Sequence, residues 1–137
     1  LALFDKFALH YLNPGRWELA DHLAGAKRIR ERWLDQLTDV SAFVPIYFTE
    51  FDTPAVGLGY YDKATGKCLL VFANADYGRE ARVTASLHAL REKSKNLSRK
   101  GRLVSAPYEM GRDFAQFTDG GDVWLPMGAG EVKIVEL

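Results

Sequence analysis

The chain is predicted to be mainly β: an antiparallel β-sandwich of seven to eight strands over residues 41–137, preceded by an α-helical segment over residues 1–40. Three observations carry this. The hydrophobic period changes from helical steps to alternation near Asp39. Short apolar or alternating runs then recur with turn residues between them, the spacing of a sandwich or barrel. The chain also ends on an alternating set, Val132, Ile134 and Leu137, after a Gly-rich turn at Gly128-Ala129-Gly130.

Each element follows from its own pattern. Leu1, Phe4, Ala8 and Tyr11 share one helical face, and Asn13-Pro14-Gly15 breaks it. A second helix fits from about Arg16 to Leu37, with Leu19, Leu23, Ala26, Ile29 or Arg30, Trp33 and Leu37 on one side and Asp21, Lys27, Arg28, Glu31, Arg32 and Asp35 on the other. Trp33 is expected between helix and sheet, or against a domain preceding the sheet. Residues 43–51 read as a strand apolar on both faces, with Pro45 arguing for an edge or a bulge. Ala55 to Tyr61 is the next strand, and Asp62-Lys63-Ala64-Thr65-Gly66-Lys67 is a hairpin signal. Strands follow at about 67–74 and 80–87. Residues 88–101 are polar and basic without a period and read as a solvated loop. Strands near 102–106, 113–117, 122–125 and 130–137 complete the set, with Asp119-Gly120-Gly121-Asp122 as the tightest turn.

Composition narrows function mostly by exclusion. The 137 residues make one domain's worth, and 47% apolar content is ample for a core. Zero net charge gives no field argument for nucleic acid or an anionic membrane. No apolar run approaches the ~18 residues of a membrane span. A single cysteine, Cys68, sits in the most apolar strand and reads as a buried thiol. The first residues lack Met, a basic n-region and a cleavage site, and open in mid-pattern as a piece of a longer protein would.

No motif announces catalysis. His10, His22 and His88 share no metal spacing, so no metal or cofactor is expected. Gly57-Leu58-Gly59 lies inside a strand and reads as close packing or a bulge rather than a dinucleotide loop. Gly128-Ala129-Gly130 lacks the Lys-Ser/Thr of a phosphate loop. Asn96-Leu97-Ser98 matches a glycosylation sequon of a kind that arises often by chance. The close carboxylates Glu50 and Asp52, and Asp119 and Asp122, sit where turn residues normally sit. The basic stretch from Arg79 to Arg102 has no interleaved aromatics for base stacking. Sugar binding would want exposed rings, for which Trp124, Tyr108, Tyr77 and Tyr60, with Tyr61, are the candidates. They are scattered over four segments, so any glucan is expected to bind no tighter than about 1 mM, roughly −4 kcal/mol.

The segments Cys68-Leu69-Leu70-Val71-Phe72-Ala73-Asn74, Glu80 to Leu87 and Gly130-Glu131-Val132-Lys133-Ile134-Val135-Glu136-Leu137 resemble the C-terminal β-sandwich of the alpha-amylase family of glycoside hydrolases (family 13). Residues 1–40 are similar to the last helical part of the catalytic barrel that leads into that sandwich. The resemblance implies a non-catalytic domain, because the family's two aspartates and one glutamate lie on barrel strands upstream. No residue here matches them. It implies a role in capping the barrel of the same polypeptide, an α-glucan as the parent's substrate, and no hydrolysis by this chain alone. The alternative is a carbohydrate-binding module that holds the parent enzyme on starch-like glucan. A free-standing small enzyme is the third reading, and it would require a deep pocket with a perturbed carboxylate. Helices taken from a barrel are also expected to expose apolar surface, or to bury it in a dimer through the N-terminal segment.

Overall fold

The computed structural model describes residues 27–95, 97–98, 101–103, 112–114, 117–118 and 121–137. The first predicted helix, the N-terminal part of the second, Phe4, Leu19, Leu23 and Tyr108 lie outside these residues.

Residues 27–32 form helix α1 and Leu34–Thr38 form α2, which continue one another through Trp33. The bonds from Trp33 N–H to the Ile29 carbonyl (3.0 Å) and from Leu37 N–H to the Trp33 carbonyl (2.8 Å) carry the helical ladder across the junction. Asp39 ends the helix and starts a 3₁₀ turn, Val40–Ala42, its carboxylate accepting from the Ser41 N–H at 2.9 Å. The change of period near Asp39 is therefore a real boundary.

Among the described residues eight strands follow. They are β1 (Phe43–Phe48), β2 (Ala55–Tyr61), β3 (Cys68–Asn74), β4 (Ala81–Ser86), β5 (Gly101–Leu103), β6 (Arg112–Phe114), β7 (Val123–Met127) and β8 (Val132–Glu136). They form one antiparallel sheet in the order β6-β5-β8-β3-β2-β1-β4-β7. The expected sandwich is thus realised as a single sheet curled on itself. The curl is at β1. Its residues 43–46 pair with β2, whereas Tyr47 and Phe48 pair with Ser86 and Ala85 of β4. Pro45 falls opposite Leu58, two residues before the pairing with β4 begins, so its missing N–H costs no ladder bond on that side.

The concave side holds the main core. Val44 and Ile46 of β1, Leu70 and Phe72 of β3, Val83 and Ala85 of β4, and Val123, Leu125 and Met127 of β7 meet there. Gly57 and Gly59 occupy the inward positions of β2 because nothing larger fits. A Cβ at Gly57 would lie 2.9 Å from the Ile46 Cβ, and one at Gly59 would lie 3.0 Å from the Val44 carbonyl oxygen. This is the close packing expected of Gly57-Leu58-Gly59.

One element was not anticipated. His88–Lys93 forms a short helix, α3, inside the stretch expected to be loop. Leu87 and Leu90 are buried by it and join the concave core. Arg91 ties α3 to the turn before β7, donating to the Asp122 carboxylate at 2.7 Å and to the Gly121 carbonyl at 2.8 Å. One helical turn with two core residues is too short for a period to show in sequence.

The convex side of β2, β3 and β8 is covered by α1 and α2. Ile29, Trp33 and Leu37, spaced four residues apart on one helical face, pack on Tyr60, Leu69, Val71 and Ile134. Full burial of side chains of this size stabilises by about 1.5–3 kcal/mol each. Polar contacts fix the orientation. Glu136 of β8 accepts from the Trp33 indole N–H at 3.4 Å and pairs with Arg32 at 2.8 Å and Lys67 at 3.7 Å.

Candidate functional site

The convex side of β4, β7 and the end of β1 has no helix over it among the described residues. Alternation decides which side chains reach it. Val83, Ala85, Val123 and Leu125 point into the core, so Arg82, Thr84, Ser86, Trp124 and Pro126 face outward. Thr84 is directly opposite Trp124, and Arg82 is opposite Pro126. Tyr47 joins the same face through its pairing with Ser86. Trp124 is 45% exposed and Tyr47 69% exposed. Two strand spacings and a two-residue offset put their Cα atoms about 12 Å apart, with the hydroxyls of Thr84 and Ser86 between.

A shallow depression of about 360 Å³ lies against Trp124, lined by Glu80, Arg82, Pro126 and Gly128 among others. Arg82 and Glu80 approach within 3.8 Å, both well exposed, which leaves the pair open to exchange partners. Glu50 holds the far corner, accepting from the Thr84 N–H at 2.7 Å. Partial burial works to raise its pKa, but the hydrogen bonds from the Thr84 and Glu50 N–H groups and the Thr49 and Thr84 side chains outweigh it and hold the carboxyl below its ordinary range.

The expected sugar-binding residues separate clearly. Trp124 is on the open face. Tyr77 is 71% exposed in the β3–β4 loop, with its ring over Gly130, where an added Cβ would meet Tyr77 Cδ1 at 2.7 Å. Tyr60 must be withdrawn as a candidate: it is 8% exposed, sits beneath the α1–α2 helix, and meets Phe43 edge-on at 5.8 Å. Tyr61 packs against the opposite, concave core. Tyr47 was not among the candidates. Its alternation with Val44 and Ile46 marks it as outward-facing, but only the switch of β1 from β2 to β4 brings it beside Trp124.

Carboxylates elsewhere are engaged structurally. The Ser41 hydroxyl and N–H hold Asp39 below its ordinary value, and the Thr65 hydroxyl does the same for Asp62. The Gly78 N–H and Arg79 lower Asp76. Among the described residues, these three carboxyls and Glu50 are shifted toward the ionised form, opposite to the shift a general acid needs. Of the two close carboxylate pairs, Glu50 bonds Thr84 across strands, and Asp122 bonds Leu87, Arg91 and, through its backbone, Thr118, whereas Asp119 lies outside the described residues. Burial pushes the Cys68 thiol up to about 11, so it is a thiol rather than a thiolate at neutral pH. No group of three or more His, Cys, Asp or Glu side chains among the described residues could hold a metal ion.

Asn74 closes the strand Cys68–Asn74 and is 2% exposed. Its amide donates to the Arg79 carbonyl at 2.8 Å and to the Gly128 carbonyl at 2.9 Å, and its oxygen accepts from the Asp76 N–H at 3.0 Å. One side chain thus joins the β3–β4 loop to the β7–β8 hairpin, at the edge of the Trp124 depression.

No family model, no curated protein and no solved structure matches the chain.

Proposed function

We propose that the chain is the non-catalytic C-terminal domain of an amylase-like glycoside hydrolase acting on α-glucans, and that it caps and stabilises a catalytic barrel preceding it in the same polypeptide. The observation that carries this is the docking of residues 27–38 on the sheet. Ile29, Trp33 and Leu37 bury the helix against β2, β3 and β8, and Glu136 clamps it through Trp33 and Arg32. A terminal barrel helix held this way would transmit the position of the barrel to the sheet without a flexible linker. Leu34, Val40 and Phe43 stay 44%, 89% and 37% exposed around this helix, apolar surface of the kind a neighbouring domain would cover.

Two measurements test the reading. The coding sequence immediately upstream is expected to encode a (β/α)₈ pattern with two aspartates and a glutamate at strand ends; an unrelated fold there would sink it. The isolated chain is expected to release no sugar from starch, maltooligosaccharides or aryl glucosides. Turnover that co-purifies with the chain and survives removal of contaminating amylase would overturn the non-catalytic role.

A further inference from the structure

We draw no further inference here: the strongest candidate, the exposed aromatic patch of Tyr47 and Trp124 on the convex side of β1, β4 and β7, carries none because nothing in the structure shows what covers it.

Discussion

The two halves of the curled sheet share one concave core but differ on their convex sides. The half built from β2, β3 and β8 is covered twice, by the opposing strands and by the helix of residues 27–38. The half built from β4 and β7 is covered once. Burial follows coverage: in β3 every residue but Ala73 is buried, whereas β4 and β7 alternate strictly between buried and open positions. The difference teaches where each half can spend its side chains. In β3, covered on both sides, nearly every position is committed to packing. Once-covered strands have every second position free for solvent or a ligand, and those are the positions of Arg82, Thr84 and Trp124.

Two tryptophans test this contrast most sharply. Trp33→Ala removes the centre of the helix–sheet layer and leaves Glu136 without its indole donor, so a loss of about 3–5 kcal/mol is expected in urea unfolding. Native-state hydrogen exchange should show residues 27–38 opening before the strands. A loss below about 1 kcal/mol would mean that the helix is not a structural layer.

Asn74→Ala comes next. It leaves the Arg79 and Gly128 carbonyls without their donor at a buried site, for an expected cost of about 1–3 kcal/mol. The change should loosen the β3–β4 loop and the β7–β8 hairpin together, read as faster exchange at Gly130 N–H, which bonds the Asp76 carbonyl. Movement of only one of the two would break the link assigned to Asn74.

Acid should separate the halves by a smaller margin. The Glu50 pKa is lower in the folded chain than its ordinary 4.5. Its contribution is therefore fully present above that ordinary value and is lost as pH falls through the lowered folded one. The opening free energy at Thr84, from hydrogen exchange corrected for intrinsic rate, should fall over that window while the β3 amides Leu70 and Phe72 hold. Glu50→Gln should flatten the Thr84 profile; a Thr84 profile unchanged by that substitution would remove Glu50 as its cause.

The smallest stability effect is expected for Trp124→Ala. The same chemical truncation as Trp33→Ala, made on the once-covered half, should change stability by within about 0.5 kcal/mol. A loss as large as that of Trp33→Ala would show that the convex face of β7 is covered after all.

Local pattern by itself determined the boundary at Asp39, the eight strand positions, the hairpin at Asp62–Lys67 and the burial of Cys68. These depend on near-neighbour properties: alternation, turn chemistry and side-chain polarity. The packing of Gly57 and Gly59 was also legible, because glycine within an apolar strand has few other uses. Tertiary structure alone decided the rest. Leu87 and Leu90 became core because α3 closes one end of the concave space, and a six-residue helix carries no measurable period. Tyr60 was taken from the surface by a helix about thirty residues earlier in the chain, a contact that no strand pattern encodes. Tyr47 reached Trp124 only because β1 changes partner in mid-strand and β4 lies between them. Alternation tells which side of a strand a residue faces; which strands lie side by side, and what covers them, is set by long-range burial and loop closure summed over the whole chain.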